Sequence, residues 1–260
     1  HIELDQAMGS HNMRLNNKMI LITGATSGIG FCAAQRAIEE GAFVIFTARD
    51  QRKIIKTQQK LGTKSIGFSC DHSSLEAQAN LMTEFEKQGY KFDGVFLNAG
   101  NVHHEKFGAW TELAFDQVFD TNIKGPFFLL QSLIPYLNQN SSIVLCGSVS
   151  IHIALAQSSV YAASKIALRS LARTLSRELI SQHIRVNLLS PGPTLTPALD
   201  KVASEPDARE KLRLEIQKLV PIQRLADPVE IANGFIYLVS DESRFVIGTE
   251  LLVDGGVANL

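Results

Sequence analysis

A tyrosine and a lysine stand four residues apart, at Tyr161 and Lys165, in the segment Tyr-Ala-Ala-Ser-Lys. If this segment begins a helix, the two side chains share one face, one turn apart. A phenol is ordinarily a weak acid, but a nearby cation favours its ionised form. The pair could then pass a proton to or from a reacting oxygen. The spacing by itself is common, and an ordinary pair on a helix surface is the alternative.

A serine that could assist the pair, Ser148, lies thirteen residues before Tyr161 and just after a predicted strand, Ser142–Leu145. A strand-end serine and a tyrosine on the next helix can both face the carboxyl edge of a parallel sheet. Ser148 could there donate a hydrogen bond to a substrate oxygen on which charge develops. Ser150 is the nearest rival, and it could equally be an ordinary loop hydroxyl.

Three glycines follow the first predicted strand, in the segment Thr-Gly-Ala-Thr-Ser-Gly-Ile-Gly. Glycines permit a tight turn, and the next helix offers unpaired N–H groups and a partial positive charge to a phosphate. The spacing departs from the general GxGxxG fingerprint, and a plain strand-to-helix turn is the alternative. With a strand before it and a helix after it, the segment predicts a dinucleotide site. The contacts expected here are Gly24, Thr26, Ser27, Gly28, Ile29 and Gly30.

The end of the second predicted strand indicates which dinucleotide binds. An acidic residue there would accept hydrogen bonds from a ribose 2′-hydroxyl and repel a 2′-phosphate. The strand-end residue is Ala48, and Arg49, which can pair with a phosphate, follows it. Asp50 is expected to lie one step too far and to cap the following helix. The sequence therefore predicts NADP rather than NAD, with Lys53 either assisting Arg49 or simply solvated.

Apolar runs of strand length alternate with helical patterns along the chain. Short strands that are apolar on both faces predict a parallel sheet covered by helices on both sides. The sequence thus predicts an α/β fold: one doubly wound, Rossmann-type domain with a seven-stranded parallel sheet. The predicted strands are Met19–Thr23, Phe43–Thr47, Ser65–Ser69, Gly94–Leu97, Ser142–Leu145, Arg185–Leu189 and Glu250–Val253.

No repeat or Pro/Gly-rich linker divides the chain, so residues 13–260 are predicted to form a single domain. Residues 1–12 are polar and patternless and are interpreted as a disordered remnant of an expression tag. An irregular stretch, residues 191–221, is predicted to be a substrate lid. Its start, Pro-Gly-Pro-Thr-Leu-Thr-Pro, should not form regular structure, whereas Asp207–Leu219 is helix-prone.

Composition narrows the class of protein. The chain has 260 residues, 45% of them apolar and 20% charged, with a net charge of −1. This charge gives no reason to expect nucleic acid or a membrane as partner. No apolar run is long enough for a membrane span, and the N-terminal residues do not resemble a secretion signal. Three cysteines without metal-ligand spacing are typical of a reducing compartment, so a cytoplasmic location is expected.

Six ordered motifs over about residues 14–258 together resemble the short-chain dehydrogenase/reductase family. They are Thr23–Gly30, Asn98–Gly100, Asn122 within Asp-Thr-Asn-Ile-Lys-Gly, Ser148 within Cys-Gly-Ser-Val-Ser, Tyr161–Lys165 and Ser190–Thr196. The ending, Gly248–Gly256, is also similar to theirs.

The resemblance implies catalytic roles. Tyr161 would be the proton donor or acceptor, and Lys165 would favour its ionised form and hold the nicotinamide ribose. Ser148 would orient the substrate carbonyl, and Asn122 would hold a water in a proton relay ending at Lys165. The other implied cofactor contacts are Asp71 and His72 at the adenine, Asn98, Ala99 and Gly100 beside the central strands, and Pro191, Gly192, Thr194 and Thr196 near the nicotinamide.

Two departures from the family pattern concern the cofactor. His72 stands where a small apolar residue is common, so the adenine pocket is expected to be altered. Thr194 occupies a position that is often apolar.

The resemblance further implies a homotetramer, formed partly through the helix of Tyr161 and the C-terminal segment.

The expected substrate is a modestly apolar carbonyl compound or alcohol. Candidate substrate contacts are His103, His104, Ile151, His152, Ile153 and Gln157. The adjacent His103 and His104 lack further ligands in the sequence, so no metal site is expected.

Two alternative functions stay open. One is a 3-oxoacyl-acyl-carrier-protein reductase, with Arg169, Arg173 and Arg177 as a docking patch, and the other is a non-catalytic dinucleotide sensor.

Overall fold

The structure, a computed structural model, describes residues 13–200 and 205–260 of the chain. The predicted tag remnant, residues 1–12, therefore lies outside the described residues. Among the helices of the described ranges, none is long and apolar enough to cross a membrane.

A seven-stranded, all-parallel sheet forms the centre of the molecule, with strand order β3-β2-β1-β4-β5-β6-β7. The chain order reverses between β1 and β4, where a doubly wound sheet opens a crevice at the carboxyl ends of its strands. The predicted fold class is confirmed. The strands are β1 (Met19–Thr23), β2 (Phe43–Ala48), β3 (Ser65–Ser69), β4 (Phe92–Leu97), β5 (Leu137–Cys146), β6 (Arg185–Pro191) and β7 (Glu250–Val253).

Helices connect the strands. Over the described residues they are α1 (Gly28–Glu39), α2 (Gln51–Leu61), α3 (Leu75–Gln88), α4 (Glu112–Phe119), α5 (Gly125–Leu133), α6 (Ser159–Leu179), α7 (Pro197–Asp200), α8 (Pro206–Leu219) and α9 (Pro228–Val239). A π-helical turn, Asp120–Lys124, joins α4 to α5.

Two apolar layers sandwich the sheet. Ile20 and Ile22 of β1 belong to the layer that also holds α1 and α9. Leu21, between them in sequence, belongs to the opposite layer with α3, α5 and α6. Because successive strand residues point to opposite faces, a strand covered on both sides must be apolar throughout. This explains why the strands appear as continuous apolar runs in the sequence.

The largest differences from the sequence predictions are in β5 and after β6; β2 and β4 differ by one or two residues. β5 begins at Leu137, five residues before the predicted start, through a polar stretch that extends beyond the apolar run. The segment after β6 is also more regular than expected, because Pro191 ends that strand and Pro197 begins α7. Proline is tolerated at both kinds of position, since neither needs its missing N–H. The helix predicted at Asp207–Leu219 is present as α8.

Candidate active site

The glycine turn joins β1 to α1 at the crevice. Gly24 has a φ of +68°, and a methyl group added to it would lie 2.9 Å from the Cα of Ala99. A methyl group on Gly30 would collide with the carbonyl oxygen of Gly24. Both glycines are therefore required for the close approach of β1, α1 and the end of β4. Gly28, with a φ of +55°, lies beneath Thr196.

The ends of β1 and β4 are locked together by hydrogen bonds. The hydroxyl of Thr23 accepts the backbone N–H groups of Asn98 and Ala99, each at 3.0 Å. The side-chain amide of Asn98 donates to the carbonyl oxygens of Thr23 and Gly24, at 3.3 and 3.1 Å. Asn98 thus braces the turn, which agrees with its predicted place beside the central strands.

The N-terminus of α1 opens toward the crevice. Ser27 precedes the helix, and its side chain makes no capping hydrogen bond. The first N–H groups of the helix are therefore not capped by the side chain of Ser27, and they carry the positive end of the helix dipole.

The segment that follows β6 lies over the glycine turn. Gly192 donates to the carbonyl of Val253 at 2.9 Å. The Thr194 hydroxyl donates to the carbonyl of Gly192 at 2.8 Å, which brings the segment toward Thr196 over the turn.

The end of β2 carries the residues predicted to select the cofactor. Arg49 is exposed, and its guanidinium makes no hydrogen bond or ion pair within the described ranges. Asp50 caps α2, as predicted, by accepting the N–H groups of Arg52 and Lys53 at 2.8 and 3.2 Å. These bonds, above all that from Lys53, hold the pKa of Asp50 below its ordinary value. Its carboxylate is therefore occupied in capping α2.

Asp71 follows β3 at the same edge of the sheet. Its carboxylate accepts the N–H and the hydroxyl of Ser73, at 3.0 and 2.7 Å. Burial acts to raise the pKa of Asp71, but the bonds from Ser73 and the charge of Arg49 outweigh it, so the pKa lies below its ordinary value. Asp71 and Arg49 thus share one corner at the carboxyl edge of the sheet.

The neighbouring His72 turns its side chain inward. Only 6% of the residue is exposed, and its ring nitrogen Nε2 lies 2.6 Å from the hydroxyl of Thr47. Burial lowers its pKa to about 4, against a smaller opposing effect of Asp71. The side chain thus lies between strands, so any contact between His72 and an adenine would come from its backbone.

Tyr161 and Lys165 lie on the first turns of α6, as the spacing predicted. The ammonium of Lys165 is 5.7 Å from the centre of the Tyr161 ring. Lys165 is buried, and it donates to the carbonyl of Cys146, the last residue of β5, at 2.8 Å. Leu168 and Ala172 anchor α6 in the core, which fixes the height of Tyr161 above the strand ends. The structure therefore places the phenol and the amine together at the carboxyl edge.

Asn122 lies in the π-helical turn between α4 and α5 and is 1% exposed. Its side-chain oxygen accepts the N–H of Asn101 at 2.7 Å, and its amide donates to the Asn101 carbonyl and the Ser164 hydroxyl, at 3.0 and 2.9 Å. Ser164 in turn donates to the carbonyl of Tyr161 at 2.7 Å. Both N–H groups of the amide are thus used inside the protein, while its oxygen, which accepts one hydrogen bond, keeps a second lone pair.

Gly100 shows how close the central groups lie. A methyl group added there would be 3.5 Å from both the side-chain oxygen of Asn122 and the ammonium of Lys165.

Ser148 precedes the short 3-10 turn Val149–Ile151. Its hydroxyl oxygen accepts the N–H of Ser150 at 3.2 Å. Its own proton stays available to a second acceptor. The rival, Ser150, is 5% exposed and therefore hardly accessible to a substrate.

The predicted substrate residues separate into two groups. The ring of His104 lies edge-on to that of Tyr161, with 5.7 Å between centres, while His103 contacts Trp110. Partial burial, and then the nearby His103, lower the pKa of His104. His152, by contrast, places its Nε2 2.9 Å from each carboxylate oxygen of Glu250. Its Nε2 is therefore occupied by Glu250 of β7, and its contact with a substrate stays a prediction.

Several residues that build the site escaped the sequence analysis. Thr23, Asn101 and Ser164 each make at least two hydrogen bonds to backbone or amide groups. Thr23 and Ser164 belong to the motifs quoted above, but nothing in the sequence indicates these bonds. Glu250 did carry a signal, because a charged residue within a predicted buried strand requires a partner.

Comparison with known proteins agrees with this geometry. A family model described as enoyl-(acyl carrier protein) reductase matches residues 24–258. The oxidoreductase asL5 of Sarocladium schorii is 35% identical over 95% of this chain and 98% of its own length. The chain belongs to the short-chain dehydrogenase/reductase family.

Two further relatives extend the comparison. The 3-oxoacyl-[acyl-carrier-protein] reductase FabG of Thermotoga maritima is 30% identical over 94% of this chain and 99% of its own length. A solved structure of a short-chain dehydrogenase/reductase family protein superposes with a TM-score of 0.84 at 32% identity, covering 95% of this chain and all of the other. The protein is thus an oxidoreductase of a family that uses a nicotinamide dinucleotide.

Proposed function

We propose that this oxidoreductase transfers a hydride between NADP(H) and a carbonyl or alcohol substrate, with Tyr161 as the proton donor or acceptor. The observation that carries the proposal is the placement of Tyr161 and Lys165. They lie one turn apart where α6 begins, with the ammonium 5.7 Å from the phenol ring. Ser148 stands at the end of the neighbouring strand, β5. The substrate would lie between these groups and the cofactor.

The residues of the crevice fit a dinucleotide. Gly24, Gly28 and Gly30 carry no side chain that could block a pyrophosphate, and α1 has no side-chain cap at its N-terminus. When bound, the cofactor supplies or accepts the hydride, and the protein supplies position, a proton and electrostatics. The residues proposed to hold it are Gly24, Thr26, Ser27, Gly28, Ile29, Gly30, Arg49, Asp71, His72 through its backbone, Asn98, Ala99, Gly100, Tyr161, Lys165, Pro191, Gly192, Thr194 and Thr196.

In the reducing direction, Ser148 donates a hydrogen bond to the substrate carbonyl oxygen and Tyr161 gives that oxygen its proton. The ammonium of Lys165 favours the phenolate that is left. A water beside Asn122 and Lys165 would return the proton. Because both amide N–H groups of Asn122 are bonded, to Asn101 and Ser164, only its oxygen atoms could bind that water, as hydrogen-bond acceptors.

The proton role is tested by Tyr161→Phe, which removes the hydroxyl and keeps the ring. We expect kcat to fall by roughly several hundredfold or more, with the Kd for NADPH nearly unchanged. Tyr90→Phe is the matched control, because Tyr90 lies in an aromatic cluster with Phe85 and Phe92, and it should retain full activity. Near-normal turnover of Tyr161→Phe would remove this residue from the mechanism.

Arg49 and Asp50 support the choice of NADP. The guanidinium of Arg49 is free at the end of β2, where the adenosine ribose would lie. Asp50 caps α2, so its carboxylate is not available to that ribose. We expect a higher kcat/KM with NADPH than with NADH, and Arg49→Ala should reduce this preference by about tenfold or more. Arg52→Ala, which removes a nearby exposed charge, should keep it. Faster turnover with NADH in the wild type would overturn the choice.

A second candidate, 3-oxoacyl-acyl-carrier-protein reductase, is favoured by the description of the matching family and by the FabG relative. Its docking patch would be Arg169, Arg173 and Arg177, which are all exposed on α6. Arg169, however, is paired with Glu250 at 3.1 Å. Turnover of a 3-oxoacyl thioester well above that of simple ketones would favour this candidate.

We further propose a cytoplasmic homotetramer that acts on a small molecule and needs neither nucleic acid nor a membrane. The proposal rests on the family, on the near-neutral charge and on apolar side chains exposed on α6 and at the C-terminus, such as Ile166 and Leu260.

A further inference from the structure

Positive charge is concentrated on α2 and the residues that flank it. Residues 49–64 contain six cationic residues and one carboxylate, whereas the rest of the chain has 19 cationic and 25 acidic residues. All six cations are exposed. They form the basic stripe, which consists of Arg49, Arg52, Lys53, Lys56, Lys60 and Lys64. The stripe is therefore opposite in sign to the rest of the molecule.

Contacts inside the protein do not account for the stripe. Within the part of the chain that the structure describes, none of the six side chains makes a hydrogen bond or an ion pair. The ammonium of Lys60 lies 5.9 Å from the centre of the Phe31 ring on α1. The one acid of the segment, Asp50, accepts backbone N–H groups as the cap of α2. The charges of the stripe are thus left to act on a ligand in solution.

The stripe begins at the crevice and runs away from it. Arg49 follows the carboxyl end of β2, whereas Lys64 precedes β3 at the opposite edge of the sheet. Lys53, Lys56 and Lys60 recur at three- and four-residue spacing, so they share one side of α2, where like charges repel and destabilise a helix. With a rise of 1.5 Å per residue, Lys56 lies roughly 8 Å along α2 from its start, and Lys60 roughly 14 Å.

Charges at such distances act on an ion before it is bound. The Debye length is about 10 Å at 0.1 M ionic strength, so the field of Lys56 reaches the end of β2 and that of Lys64 is largely screened. A field of this kind raises the rate at which an oppositely charged ligand reaches its site. NADPH carries about four negative charges, because its 2′-phosphate adds roughly two to those of the pyrophosphate.

We propose that the basic stripe steers NADP(H) into the crevice, through Lys56 and Lys60, which lie outside the proposed cofactor contacts. The inference rests on the proposed NADP(H) function and adds to it a set of residues that speed association without holding the bound cofactor. The carboxylates at the corner, Asp50 and Asp71, do not cancel the field, because the four cations of residues 49–56 outnumber them.

The test measures the association and dissociation rate constants of NADPH with the full chain, by stopped-flow fluorescence, between about 0.05 and 0.5 M KCl. For the wild type, the association rate constant should fall by about threefold or more over this range, because salt screens the stripe. The dissociation rate constant should change less. NADH, which has about half the charge, should show a weaker dependence of its association rate on salt.

Variants locate the effect on α2. At about 0.1 M KCl, Lys56→Glu should lower the association rate constant of NADPH by about threefold, with the dissociation rate constant unchanged, and the loss should disappear at about 0.5 M KCl. Lys56→Gln, which removes the charge without reversing it, should show roughly half of this effect on a logarithmic scale. Lys64→Glu is the matched control, because it makes the same change in an exposed lysine at the far end of the stripe. Its association rate constant should stay close to that of the wild type.

Two results would overturn the proposal while leaving the choice of cofactor intact. Equal losses in Lys56→Glu and Lys64→Glu would mean that net charge matters and position does not. A change of Lys56→Glu confined to the dissociation rate constant would make Lys56 a contact of the bound cofactor.

Failure of the proposed function gives a different result. A wild-type chain that binds NADH more tightly than NADPH at about 0.5 M KCl, where the stripe is screened, would contradict the choice of NADP. It would also remove the ligand that the stripe is proposed to attract.

Discussion

At the scale of single residues, His72 shows how a departure from the family pattern is accommodated. Its ring is buried beside Thr47, while its backbone carbonyl accepts the side-chain amide of Gln78 at 2.7 Å and packs against Gly125. The residue thus connects β2, α3 and α5 from one position. All of these contacts lie inside the protein, so the core accommodates the larger side chain.

The buried ring makes stability depend on pH. The pKa of His72 is about 4 in the folded protein and 6.5 ordinarily, so the unfolded chain binds an extra proton between these values. The free energy of unfolding should therefore fall as the pH drops from 6.5 to 4, by up to about 3 kcal/mol from this group. His72→Gln, which cannot titrate but can still bond Thr47, should show a shallower dependence in urea denaturation. Equal slopes for both proteins would contradict the prediction.

Asn122 marks the limit of sequence reasoning at this scale. Its importance followed from the family motif, but its contacts did not. The π-helical turn that carries it has no known signature in the sequence, because one extra residue per turn is a matter of backbone geometry. The bonds to Asn101 and Ser164 occupy both of its amide N–H groups, so only oxygen acceptors are left for the proposed water.

At the scale of elements, the strands were the most predictable features. Met19–Thr23, Ser65–Ser69 and Glu250–Val253 have the bounds expected from their apolar runs. The prediction worked because burial on both faces leaves an uninterrupted apolar pattern. It fell short for β5, which begins where Leu137 pairs with Phe92 of β4 and then runs through a polar stretch and a register shift before pairing resumes at Ser142. Tertiary pairing of this kind cannot be read from composition.

The glycine turn gives a sharp prediction at this scale. Gly30→Ala places a methyl group against the carbonyl of Gly24, which is backbone and cannot rotate away. We expect a loss of about 1–3 kcal/mol in the free energy of unfolding, together with weaker cofactor binding, because the turn must open. Gly108→Ala is the matched control, since a methyl group there meets nothing within 4 Å. Chemical denaturation and a cofactor titration measure both effects.

Full stability of Gly30→Ala with normal cofactor affinity would show that the turn adjusts without cost. It would then remove close packing as the reason for a glycine at this position.

At the scale of the whole molecule, the same helix serves several functions. α6 carries Tyr161 and Lys165 at one end and packs Leu168 and Ala172 into the core. Rigid seating of this helix therefore connects the position of the proposed catalytic pair with the stability of the fold. Its exposed side, which includes Ile166 at 42% exposure, is left for contact with another subunit.

The proposed homotetramer is tested through the apolar groups that it would cover. Leu260 is 93% exposed in the single chain, and burial of a leucine of this kind is worth about 2 kcal/mol. A charge in its place would have to be buried at the contact, so Leu260→Glu and Ile166→Glu should shift light scattering from four chains toward smaller species, and the double variant should shift it further. Phe107→Ser is the control, because Phe107 is equally exposed but lies outside α6 and the C-terminal segment. A wild-type chain that scatters as a monomer, or variants that remain tetrameric, would place these side chains outside any subunit contact.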